Sequence, residues 1–190
     1  RAFDISNFTG VITDDQATQM RDEARKVIVN VHDPNLAIQQ IATCRGHCLE
    51  WELYAQHYFS VPLSRELEKA QRIRDQFQNL SDGPRRLWLA FEDAVPSGIS
   101  PDVVIGWIDL AAFKAREFGF PHGLYVPKAW WQEATGDTNR LSYLPLWVAQ
   151  PDGIPDLSVY DGFGGWMTAS MKQYLMDVPF AGLNIDKNVY

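Results

Sequence analysis

The residues in this sequence best suited to chemistry are carboxylates set at or near the ends of apolar runs. Asp4 sits in the apolar run that opens the chain. Glu92 and Asp93 follow the run Leu87 to Phe91, and Asp186 lies in the last run, before Lys187 and Asn188. Acids gathered at one rim suit glycoside hydrolysis. One acid must keep its proton to donate to the leaving oxygen, while another group stabilises positive charge at the anomeric carbon. Repulsion between neighbouring carboxylates raises the pKa of one of them and supplies such a donor near neutral pH. For any one acid, helix capping or pairing with Arg85 and Arg86 is the simpler account. Three or four acids at successive strand ends point to a site.

Such acids converge only if the strands that carry them lie side by side. Apolar runs alternate with helical patterns along most of the chain, the signature of a parallel sheet. Thr13-Asp14-Asp15-Gln16 reads as a capping box that opens a helix to about Lys26. Val27 to Asn30 follows as a β-branched strand. Asp33-Pro34 opens a second helix, to about Cys44. Cys48 to Tyr54 reads as the third strand, and Leu63 to Leu80 as a long helix stopped by Ser81-Asp82-Gly83-Pro84. Leu87 to Phe91 is the fourth strand. Ser100-Pro101-Asp102 starts a helix whose apolar stripe is Val103, Val104, Trp107, Ile108 and Ala111. Gly123 to Val126 is the fifth strand. Beyond it, Pro145 to Ala149, Ser170 to Tyr174 and Asn184 to Val189 read as strands joined by segments rich in Gly, Pro and Asp. Five βα units and three further strands predict a closed α/β barrel, an irregular TIM-like (β/α)5(β)3 form, with its site at the C-terminal ends of the strands. An open doubly wound sheet would want a Gly-rich phosphate loop after the first strand, and Ser6-Asn7-Phe8-Thr9-Gly10 is not one.

The 190 residues fit a single domain, 1–190, with one core. A formal net charge of −7 argues against a nucleic-acid partner, which needs a basic surface. The apolar runs are too short for membrane insertion. The N-terminus enters a strand at once, so any leader was removed or the chain was cut from a larger polypeptide. Cys44 and Cys48 lack a second ligand pair, and His32, His47, His57 and His122 are not spaced as a metal triad, so neither metal nor cofactor is expected. Trp130-Trp131 is either a sugar platform at a groove rim or the packed start of a helix.

Taken together, these segments resemble glycoside hydrolase family 25, the muramidases. Phe3-Asp4-Ile5-Ser6 to Gly10 is similar to the opening of that family, and Leu89-Ala90-Phe91-Glu92-Asp93 to its Asp-x-Glu strand. Gly123-Leu124-Tyr125 with Trp130-Trp131, Leu146-Trp147-Val148-Ala149, Gln173-Tyr174 and Ile185-Asp186-Lys187-Asn188 resemble its later strands, in order. The resemblance implies cleavage of the β-1,4 bond between N-acetylmuramic acid and N-acetylglucosamine in peptidoglycan. It makes Glu92 the proton donor and Asp4 and Asp186 supporting acids. Tyr125, Trp147, Tyr174, Gln173 and Trp131 become substrate-binding candidates. It also implies a location outside the cell, at the cell wall or on a virion.

The sequence departs from the pattern at Ala90, which stands where the family has the first acid of Asp-x-Glu. Losing one electrostatic stabiliser of a transition state costs about 10²–10³ in rate. Ala90 leaves three readings open: a knock-out, a non-catalytic glycan-binding or structural module such as one in a phage tail, or an acid elsewhere that has taken over. A glycosidase of another specificity, chitinase-like, is a further alternative. Asp93 points to the opposite strand face from Glu92 and is the weakest substitute. Glu50 and Glu52 share one strand face, so Glu52 is a candidate to restore the charge if it reaches the cleft.

Overall fold

The structure is a computed structural model that describes residues 1–59, 62–77 and 84–190. Its strands are β1 (Ala2–Ile5), β2 (Lys26–Asn30), β3 (Glu50–Gln56), β4 (Leu87–Ala90), β5 (His122–Pro127), β6 (Leu146–Ala149), β7 (Met171–Phe180) and β8 (Leu183–Val189). They close in chain order into one barrel. β1 to β7 run parallel, and β8 returns antiparallel between β7 and β1. Helices α1 (Asp14–Glu23), α2 (Pro34–Gly46), α3 (Leu63–Gln76), α4 (Pro101–Glu117) and α5 (Lys128–Thr135) follow the first five strands. This is the (β/α)5(β)3 order expected from the sequence.

Local chemistry explains the element boundaries. The Thr13 hydroxyl accepts from the Gln16 amide, and the Gln16 side chain accepts from the Thr13 amide, so the capping box forms. α1 nevertheless stops at Glu23, short of the expected Lys26, because Lys26 opens β2. Asp33 accepts from the Asn35 and Leu36 amides with Pro34 in the first turn of α2. On α4 the buried stripe is Val104, Ile105, Ile108, Ala111, Ala112 and Ala115. Val103, expected in it, is exposed, since a period of 3.6 carries the stripe from 104 to 108 and 111. Residues 78–80 of the predicted third helix and the stop signal at 81–83 lie outside the described residues. Among the described residues no helix is long and apolar enough to cross a membrane.

Among the described residues two apolar clusters form. The larger lies between the outer faces of the strands and the helices. The smaller fills the barrel interior with Ala2, Ile28, Trp88, Ala90, Tyr125, Trp147 and Met171. Gly123 makes room for it. A Cβ there would lie 2.6 Å from Trp88 Cζ3 and 2.7 Å from the Pro145 carbonyl oxygen, which is backbone and cannot give way. Gly123→Ala is therefore expected to cost about 1–3 kcal/mol, the range for overpacking a filled core. Denaturant unfolding reads this directly, and an unchanged midpoint would contradict the close approach.

The β6–β7 connection carries no α-helix, only a 3-10 turn at Leu157–Val159. Lys172, fully buried on β7, fastens it by donating to Asp152 Oδ2 at 2.8 Å.

Candidate active site

The period of two along each strand selects what faces into the barrel. On β4 it takes Trp88 and Ala90, and the next inward position after the strand is Glu92. On β1 it takes Asp4, on β5 Tyr125, on β6 Trp147, on β7 Gln173 and on β8 Asp186 and Asn188. The pairing register sets Asp4 beside Asp186 and Ala90 beside Tyr125. These elements form a polar depression of about 80 Å³ lined by Asp4, Tyr54, Glu92, Tyr125, Trp147, Gln173, Met176 and Asp186. The structure thus brings together Asp4, Glu92, Asp186, Tyr125, Trp147 and Gln173.

Gln173 organises the floor. Its amide nitrogen donates to Asp4 Oδ2 at 3.0 Å and to Asp186 Oδ2 at 2.9 Å. Its oxygen accepts from the Tyr125 hydroxyl at 2.8 Å. Asn188 donates to Asp4 Oδ2 at 3.1 Å and accepts from the Trp147 indole at 2.9 Å. The Asp177 amide donates to Asp186 Oδ1 at 2.6 Å. Asp177 reaches that position through a left-handed backbone (φ 51°), at a register shift between Leu175 and Val178. The same irregularity leaves Met176 at the groove wall.

Burial pushes the Asp4 carboxyl well above the ordinary carboxylate range, and the Asp186 charge adds to this. Asn188 and Gln173 pull the other way. Asp186 is also raised, first by desolvation, against the hydrogen bonds from Asp177 and Asp4. The pair therefore retains a proton at pH values where an ordinary aspartate has lost it. Glu92 opens onto solvent at the mouth, yet its carboxyl is closely surrounded. That desolvation raises its pKa, the Asp93 charge raises it further, and the Tyr125 hydroxyl lowers it.

A carboxyl whose folded pKa lies above its unfolded one binds its proton more tightly in the native state. The stability this contributes is complete below the unfolded pKa, about 4, and is lost as pH rises through the folded value. The Tm is expected to fall across that window. Asp4→Asn should flatten the fall, because the amide oxygen still accepts from Gln173 and Asn188 while its nitrogen donates to Asp186. An unchanged Tm–pH slope in the variant would place the retained proton elsewhere.

Three expected residues are not in the groove. Glu52 faces into the barrel, but one inward position below Tyr54. There it accepts from Lys26 at 2.8 Å and from the Trp88 indole at 2.6 Å, 3% exposed, so its charge is neutralised beneath the floor. Trp131 is fully buried. Its indole donates to the Thr138 carbonyl, and its ring packs on Trp166 under Gly164. It is a packed helix residue and not a sugar platform. Tyr174 follows Gln173 on β7 and does not line the depression, since adjacent strand residues face opposite sides. Trp147 lines the floor edge-on to Tyr125 and is 2% exposed. Two contributors were not singled out from sequence, Tyr54 and the capping role of Asn188. Alternation from Glu52 and from Asp186 points to both.

The site is thus a cluster of acids at the mouth of an eight-stranded (β/α)5(β)3 barrel. The family model described as Lysozyme-like protein 1 matches residues 6–174. The chain belongs to this lysozyme-like family, within glycoside hydrolase family 25. It is 29% identical over 110 residues to "Probable GH family 25 lysozyme 5" of Dictyostelium discoideum, covering 57% of this chain and 47% of that one. It is 38% identical over 81 residues to "Probable GH family 25 lysozyme 2" of the same organism, covering 43% and 37%. The chain thus matches less than half the length of these relatives. A GH25 lysozyme from Aspergillus fumigatus superposes with a TM-score of 0.72 at 18% identity, covering 100% of this chain and 92% of that one. A muramidase from Trichobolus zukalii gives 0.71 at 21%, covering 98% and 91%. At these identities the likeness is one of fold.

Proposed function

We propose that this chain is a peptidoglycan-directed muramidase domain that hydrolyses the β-1,4 bond between N-acetylmuramic acid and N-acetylglucosamine. The observation that carries the reading is the juxtaposition of Glu92, a carboxyl at an open mouth whose pKa burial and Asp93 raise, with the Asp4–Asp186 pair beneath it in one depression. Glu92 donates its proton to the leaving oxygen. The pair, sharing a proton through its mutual contact and the Gln173 clamp, presents negative charge where the anomeric carbon turns positive. Tyr125 and Trp147 shape the floor under the sugar ring. The domain acts outside the cell, at the wall, alone or as part of a larger polypeptide.

One observation favours a second reading. Ala90 is 1% exposed inside an apolar cluster, so no acid stands where the family pattern has one. On that reading the barrel is a glycan-binding or structural module, for instance in a virion. Incubation with purified cell walls separates the two. Clearing of turbidity supports the muramidase, and co-sedimentation with walls that are never cleared supports the module.

A further inference from the structure

The depression around Glu92 is small, and the lining of a larger cavity begins two residues further along the chain, at Ala94. This cavity, about 330 Å³, is formed by the loop from Ala94 to Ile99, which leaves Glu92 and Asp93 toward α4, and by Trp130, Glu133 and Ala134 of α5. Trp130 is fastened to the segment that carries Glu92, because its indole N–H donates to the Asp93 carbonyl at 2.7 Å. With its polar atom tied down, the ring is left as a wall. Glu133 stands three residues on, on the same face of α5. It is exposed, and among the described residues it has neither ion pair nor hydrogen bond.

A sugar subsite needs several polar side chains to take up hydroxyl groups. Here the side chains of the wall are Ala94, Val95, Pro96, Ile99, Pro101, Ala134 and an indole face, with Ser97 and one free carboxylate as the polar groups. That combination matches an aliphatic chain ending in an ammonium group. The methylenes lie on the apolar wall, the cation faces the ring, and the carboxylate pairs with it. We infer that this cavity is a binding site for the primary-amine side chain of a wall peptide attached to the glycan, next to the cleaved bond. The inference rests on the muramidase reading only for the source of the amine.

The test is titration of the full chain, followed by NMR, with a lysine-containing wall tetrapeptide whose carboxyl groups are amidated, and with its Nε-acetylated twin. The amine form should bind about ten-fold more tightly, the range that a cation–aromatic contact and an exposed ion pair together supply. It should shift the Trp130 indole N–H and the amides of residues 94–99. Glu133→Gln, at an exposed position that does not threaten folding, should erase the difference between the two peptides. Equal binding of the two peptides, shifts elsewhere, or no binding overturns the assignment. Cleavage of peptide-stripped glycan without amine-dependent binding rejects the cavity and leaves the muramidase reading standing. Amine-dependent binding by a chain that neither cleaves nor retains glycan does the reverse.

Discussion

Glu92→Gln is expected to lower wall hydrolysis by about 10²–10⁴-fold, the contribution of a positioned general acid. Wall binding and Tm should stay near those of the parent chain. The amide keeps the shape of the side chain but has no proton to give. Glu92 sits at the open mouth, so its loss removes no packing. The pH profile carries the same claim. The active form is the protonated acid, so the rate falls as pH rises through the Glu92 pKa. Burial and the Asp93 charge raise that pKa, and the falling limb should lie above the ordinary carboxylate range. In Asp93→Asn the limb should move to lower pH, since the second of these causes is gone. Equal rates for the parent chain and Glu92→Gln would remove Glu92 from the chemistry.

The second large effect is a gain. Ala90→Asp is expected to raise the hydrolysis rate by about 10²–10³-fold, the worth of one preorganised electrostatic stabiliser. Ala90 lies two residues before Glu92 on the same strand face and pairs in register with Tyr125. A carboxylate there reaches the same depression, and its repulsion also favours the protonated form of Glu92. The position is buried among Trp88, Tyr125 and Trp147, so the change should cost about 1–3 kcal/mol of stability. Steady-state rates on a soluble glycan, with Tm alongside, read both effects. A folded variant with no gain would mean that the groove lacks more than one acid.

The sequence made the convergence legible because it depends on two short-range signals, strand ends and a period of two. Asp4, Glu92, Gln173 and Asp186 all follow from them. Alternation also argues against taking Gln173 and Tyr174 together, since neighbours on a strand cannot share a face. Depth along the barrel axis is not legible in this way. Glu50, Glu52 and Tyr54 have the same parity, and only the register with Lys26 and Trp88 decides that Glu52 is locked beneath the floor while Tyr54 reaches the groove. Trp131 is decided by Gly164, 33 residues away, whose backbone closes over the indole. The left-handed Asp177, which turns its amide onto Asp186, carries only a weak local signal, because Asp tolerates this conformation better than most residues but adopts it only where its surroundings demand it. Periodicity therefore names the acids of this site, and the long-range register sets which hydrogen bonds tune them.

The most direct test is analysis of the products released from purified peptidoglycan. Fragments with new reducing ends on N-acetylmuramic acid, formed by the parent chain and absent with Glu92→Gln, are the predicted result. No new reducing ends from a folded chain and from Ala90→Asp alike, or reducing ends on N-acetylglucosamine, would contradict it.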